Sequence, residues 1–165
     1  MSTTKKVRNM KLDFQQVIKE VKALCAGETD EIALMATISC NLYQQIEGFD
    51  WVGFYRVVDK DILKIGPYQG DHGCLVIPFD KGVCGAAARL KQIQIVDDVD
   101  QFDGHIACSS SARSELVIPL FDNSGQVFAV FDIDSNHHAF FNKQYAEQLD
   151  KLLRELFTAG SEDAI

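Results

Sequence analysis

The sequence predicts an α+β domain built on a mostly antiparallel sheet, and three observations point to it. Apolar residues recur at helical spacing near both ends of the chain. Short β-branched and aromatic runs follow one another through the middle, with a single helix-like stretch among them. The last two of these runs are joined by "NSG", a hairpin turn. Helices from the two termini would cover one face of such a sheet. The other face, with the loops around 68–74 and 100–113, would be left to form a pocket.

The elements follow in order. Phe14, Val17, Ile18, Val21 and Leu24 mark a first helix, which Gly27 stops. Thr29 is the N-cap candidate for a second helix carrying Ile32, Met35, Ile38, Leu42 and Ile46, which Gly48 ends. "DWVGFYRVVD" reads as a strand, and "DKD" at 59–61 turns it into "ILKIGPYQG". "CLVIPF" is a strand, "GVCGAAARLKQ" a short Ala-rich helix and "QIQIVDD" a strand. After the loop come the strands "ELVIPLFD" and "QVFAVFDIDS". Tyr145, Leu149, Leu152, Leu153, Leu156 and Phe157 give a last helix.

At 165 residues the chain is about one domain long, read as 1–165 with 1–8 flexible. No apolar run approaches the roughly 20 residues of a membrane span, and "MSTTKKVRNMKLDF" lacks an apolar stretch after its basic residues. The expected compartment is therefore the cytoplasm, where the five cysteines would be mostly reduced. A net charge of −8 argues against nucleic acid and anionic membrane as partners. That leaves a small molecule or a protein.

Several chemistries lack their residues. There is no Gly-rich phosphate loop, no dinucleotide fingerprint and no G-x-S-x-G elbow. His72, Cys74, Cys84, His105 and Cys108 crowd one window, but without a C-x-x-C or H-x-x-x-H pair no metal is expected. "CSSSAR" falls one residue short of a phosphatase cradle. Redox chemistry is the stronger reading, since a small-residue loop with backbone donors and Arg113 suits a thiolate at Cys108. Cys25 and Cys40 read as helix-borne core residues. Cys74 is either a strand-end core residue or a reactive one. Cys84 opens a helix, whose dipole would lower its pKa, or simply packs.

The acidic residues are also informative. Strand alternation puts Val127, Ala129, Phe131 and Ile133 on one face, and Phe128, Val130, Asp132 and Asp134 on the other. The two carboxylates are either solvated at a strand end or used to bind a cation or share a proton. Trp51 and Tyr55 share a face with Gly53 between them. They are either core or an aromatic wall suited to a substituted ammonium or a polarisable apolar group.

On these residues the chain resembles a known family. "DWVGFY", "GPYQG", "CLVIPFDKGVCGAAA", "VDDVDQFDGHIACSSSARSELVIPL" and "VFDIDS" are similar to the free methionine-(R)-sulfoxide reductases, small stand-alone members of the GAF domain family. Both flanks fit as well, so the resemblance covers nearly the whole chain. It departs at Ser109, where an Asp is expected after the cysteine, and through "SSSAR".

The resemblance implies a GAF-type fold and a thiol-dependent reductase. Cys108 would be the attacking cysteine, Cys74 the principal resolving cysteine and Cys84 a third that enters disulfide exchange. Glu115, Asp132 and Asp134 would be the pocket carboxylates, supplying the proton donor and the partner of the substrate ammonium. Trp51 and Tyr55 would form the wall. The implied cycle uses no metal, flavin or nucleotide; thioredoxin is the expected reductant and a homodimer the expected assembly. The rival reading is a GAF module that senses a small ligand, which the short chain without an output domain disfavours.

Overall fold

Asp13 and Asp30 open the first two helices, because each carboxylate accepts a hydrogen bond from a backbone N–H that the helix itself leaves unpaired. Asp13 accepts from Gln15, and Asp30 accepts from the Ala33 N–H at 2.8 Å. The N-cap of the second helix is thus Asp30 and not Thr29, whose own N–H is bonded to Glu28. The computed structural model describes residues 13–106, 108 and 111–158, so the flexibility expected at 1–8 lies outside the described residues.

The elements are α1 (Phe14–Leu24), α2 (Glu31–Gln45), β1 (Trp51–Asp59), β2 (Ile62–Gln69), β3 (Val76–Pro78), α3 (Gly82–Leu90), β4 (Gln94–Val96), β5 (Ser114–Phe121), β6 (Val127–Ser135) and α4 (Lys143–Thr158). The strands form one sheet in the order β3-β2-β1-β6-β5-β4, with every neighbouring pair antiparallel. The two edge strands are shorter than the sequence suggests. "CLVIPF" is paired only over Val76–Pro78, with Cys74 outside it, and "QIQIVDD" only over Gln94–Val96. An edge strand has one neighbour to hold it, and Pro78 brings no N–H to the ladder. The Ala-rich helix also stops early, at Leu90, because Lys91 takes a left-handed conformation with φ 56°.

α1, α2 and α4 cover one face of the sheet. Val17, Met35, Ile38 and Leu149 pack there with Val52, Phe54, Leu116 and Phe131 in a continuous core. Phe54 and Phe131 on neighbouring strands are fully buried, with ring centroids 4.7 Å apart. Burying side chains of this size contributes roughly 1.5–3 kcal/mol each. Cys25 belongs to this core, whereas Cys40 is half-exposed and accepts a hydrogen bond from Gln44 on the helix surface, against the expectation of a core residue.

α3 lies on the other face of the sheet. It comes close because Gly85 has no side chain: a Cβ there would stand 2.6 Å from the Pro78 carbonyl oxygen. A second cluster forms under α3, and Val127 joins it, on the opposite side from Ala129 and Phe131. The alternation expected along β6 breaks at Phe128, where the β5–β6 register shifts: Leu120 pairs with Ala129, but Phe121 pairs with Val127. The extra residue is a β-bulge and reverses the facing of what precedes it.

Candidate active site

The floor of the site comes from the register of three strands. Trp51 faces Asp134 across β1 and β6, and Asp134 faces Glu115 across β6 and β5. In the next row on that face, Gly53 stands opposite Asp132, and Asp132 opposite Val117. Paired residues of an antiparallel ladder project to the same side. α3 adds Cys84, and the loops add His72, Gly73, Ile106, Cys108 and Ala112. Every residue singled out from the sequence as a site residue except Cys74 lines this one pocket, and Cys74 is bonded to its rim.

The aromatic wall is a stack. Trp51 lies nearly parallel to Tyr55, at 5.8 Å between ring centroids, and to Tyr68, at 5.2 Å. Gly53 makes room for it, since a Cβ there would meet Tyr68 Cβ at 2.4 Å and the Trp51 ring at 2.7 Å. The indole Nε1 of Trp51 donates a 2.9 Å hydrogen bond to the Asp71 carbonyl and so ties the wall to the loop that carries Cys74. Tyr68 and this Asp71 carbonyl were not anticipated from the sequence. Tyr68 would have been found from the β1–β2 register, which pairs it with Gly53.

Cys74 and Cys108 form a disulfide with Cα atoms 5.1 Å apart, joining the two loops over the pocket; both residues are partly exposed. With the disulfide closed, the lining leaves a cavity of about 30 Å³. That is room for a water or two, not for an amino acid. Ser109, which follows Cys108, lies outside the described residues. The guanidinium of Arg113 donates to the Ala112 carbonyl.

Cys84 is a buried free thiol whose Sγ donates to Glu115 Oε1 at 3.9 Å. Its position at the start of α3 does not make it acidic. Burial, reinforced by Asp132 and Glu115, pushes the thiol well above its ordinary range, which outweighs the helix dipole. Cys25 is likewise raised by burial.

Of the two carboxyls that alternation puts on one face of β6, Asp132 is buried and Asp134 half-buried. Glu115 and Asp132 are buried. Burial first, then repulsion from Asp132 and Asp134, pushes Glu115 well above the carboxylate range. Burial also raises Asp132, to about 7, while its interactions with Cys84 and Glu115 hold it back. Asp134 is raised by burial, with Asp132 and Asp50 adding to it. The site thus holds carboxylic acids able to give a proton near neutral pH. Tyr55 is raised too, by burial and by Asp132, and stays a neutral phenol.

The window of cysteines and histidines at 72–108 does not gather into a metal-ligand set among the described residues. Cys74 and Cys108 are taken up by the disulfide. The group among the described residues with metal-compatible spacing is instead Cys84, Glu115 and Asp132, whose donor atoms lie within 4.8 Å of one another. No helix of the described residues is long and apolar enough to cross a membrane.

Comparison with known proteins agrees with this architecture. A family model described as GAF domain matches residues 29–156. The free methionine-R-sulfoxide reductase of Escherichia coli K12 is 41% identical over 143 residues, covering 87% of this chain and 86% of that protein. The structure of free methionine-R-sulfoxide reductase from Neisseria meningitidis in complex with its substrate superposes with a TM-score of 0.82 at 40% identity, covering 90% of each chain. The reduced form of the Staphylococcus aureus enzyme gives a TM-score of 0.83 at 33% identity, covering 90% of this chain and 94% of that one. On these matches the chain belongs to the GAF domain family, among the free methionine-R-sulfoxide reductases.

Proposed function

We propose that the protein reduces free methionine-R-sulfoxide to methionine through a thiol cycle run by Cys108 and Cys74. The observation that carries this reading is the Cys74–Cys108 disulfide at the rim of a pocket lined by Glu115, Asp132 and Asp134. The cycle starts from the reduced pair. The Cys108 thiolate attacks the sulfoxide sulfur while a carboxylic acid protonates the oxygen, which would otherwise leave poorly. Glu115 suits that donor role, because its burial keeps it neutral. Methionine departs and Cys108 is left as a sulfenic acid. The Cys74 thiol attacks that sulfur, water leaves, and the disulfide forms. A dithiol then returns both cysteines to thiols.

The free amino acid explains the remaining groups. Its ammonium would pair with Asp132 and Asp134, since a cation beside them draws Asp132 below its raised value near 7. The Trp51 and Tyr55 faces would take the ammonium edge and the thioether. Cys84 serves as a third thiol beside Glu115, available for exchange once the loops move. Thioredoxin is the proposed reductant, a homodimer the proposed assembly and the cytoplasm the proposed compartment.

The test is an NADPH-coupled assay with thioredoxin and its reductase on separated epimers of free methionine sulfoxide and on the N-acetylated compound. Turnover is expected on the free R epimer, and little on the S epimer or after acetylation, which removes the charge and adds bulk. Absence of turnover on the R epimer would overturn the reading in favour of a ligand sensor.

A further inference from the structure

We propose that Cys84, Glu115 and Asp132 together form a binding site for a thiophilic divalent cation, with zinc the best fit, on the floor of the pocket. Each offers one donor atom, and the three atoms lie within 4.8 Å of one another. Cys84 Sγ and Glu115 Oε1 are 3.9 Å apart. Donors around tetrahedral zinc, at bonds of about 2.0–2.3 Å, are roughly 3.3–3.8 Å from one another. The set therefore closes onto an ion if its donor–donor contacts shorten by at most about 1.5 Å. The donors also sit on firm supports, Cys84 on α3, Glu115 on β5 and Asp132 on the central strand β6.

A second observation points to a ligand. Asp132 is 4% exposed, yet its Oδ1 has no hydrogen-bond partner among the described residues. Cys84 and Glu115, at 3% and 7%, are as deeply placed. The cavity of about 30 Å³ suits an ion with a water better than an organic molecule. One thiolate with two carboxylates is a mixed soft and hard donor set. It favours zinc, cadmium or cobalt over magnesium and calcium, which prefer oxygen alone.

Binding would exchange protons for metal. Burial favours the protonated form of all three groups, so the cation must displace the thiol proton and any carboxyl protons still bound. Affinity should then rise with pH. The ion would fill the part of the pocket in which Glu115 and Asp132 would meet the substrate, so cation and free methionine should exclude each other. The assignment rests on the geometry of these three residues and stands whether or not the protein is a reductase.

The test uses the oxidised full-length protein, in which Cys74 and Cys108 are unavailable as ligands. Cobalt(II) is titrated as a spectroscopic stand-in for zinc, and a thiolate-to-cobalt charge-transfer band is expected at one equivalent, bleached by zinc. Cys84→Ser should abolish the band, and Asp132→Asn should weaken binding about tenfold or more. A Cys25→Ser/Cys40→Ser protein should keep the band, which preserves the test if Cys84→Ser fails to fold. Zinc affinity, measured against a chromophoric chelator, should fall on lowering the pH. No thiolate band in the wild type, an undiminished band in folded Cys84→Ser, or its loss in Cys25→Ser/Cys40→Ser would overturn the proposal.

Discussion

Gly53 on β1 stands directly opposite Asp132 on β6, so the most central carboxyl of the pocket faces a residue with no side chain. The space is filled by the ring of Trp51, which reaches over Gly53 toward Tyr68. Gly53→Ala should therefore push Trp51 out of its stack and misplace the wall. The expected result is a loss of roughly tenfold or more in kcat/KM on free methionine-R-sulfoxide, since small displacements of a binding wall are costly. Circular dichroism should show an intact fold. Unchanged kinetics would mean that the wall does not position the substrate.

The limits of sequence reading are visible at the same residues. Alternation along "QVFAVFDIDS" correctly brings Asp132 and Asp134 to one face, and that face does line the pocket. Alternation carries no information about what covers a face, so on the residues alone a solvated pair is the simpler reading of the two carboxyls. α3 and the two loops decide it. The bulge at Phe128 was likewise invisible, because it depends on the pairing of β5 with β6 and not on β6 alone. Helices with a strong apolar period, α1 and α4, were legible, whereas the edge strands β3 and β4 were overextended because their length is set by a single neighbour.

The two disulfide cysteines should separate kinetically. Cys108→Ser should release no methionine even in a single stoichiometric turnover, because a hydroxyl is scarcely ionised at neutral pH. Cys74→Ser should still release about one methionine per site without reductant, and then turn over poorly with thioredoxin. Rapid quenching and methionine quantification read both outcomes. Wild-type cycling by Cys74→Ser would reassign the resolving role to Cys84.

Buried carboxyls make stability fall as pH rises. Asp132 has its folded value near 7, above its ordinary range near about 4. Between those values the unfolded chain has lost a proton that the folded chain retains, so the unfolded state binds fewer protons and each step up in pH costs stability. The loss is expected between about pH 4 and pH 7, on the order of a few kcal/mol. Asp132→Asn should flatten that slope in urea titrations run at a series of pH values. A stability that climbed across the same window would show these groups to be ionised in the fold.

Reduction of the Cys74–Cys108 bond should lower the melting temperature. The bond closes a loop across a sequence separation of 34. Chain entropy assigns such a cross-link about 3–4 kcal/mol of stabilisation. Calorimetry before and after dithiothreitol, with Cys74→Ser as the uncrosslinked reference, measures the difference. Equal melting temperatures would mean that the native loops are ordered only when bonded.

Trp51 is the only tryptophan in the chain, and it occupies the wall of the pocket, hydrogen-bonded to the loop that bears Cys74. All indole emission of the protein thus comes from the place where the chemistry is proposed to occur. Opening the disulfide removes the covalent tie on the loop that holds the indole N–H, and a ligand arriving in the pocket would change the polarity against its face. The protein carries its own optical reporter, in which wavelength and intensity follow oxidation state and occupancy without any added label.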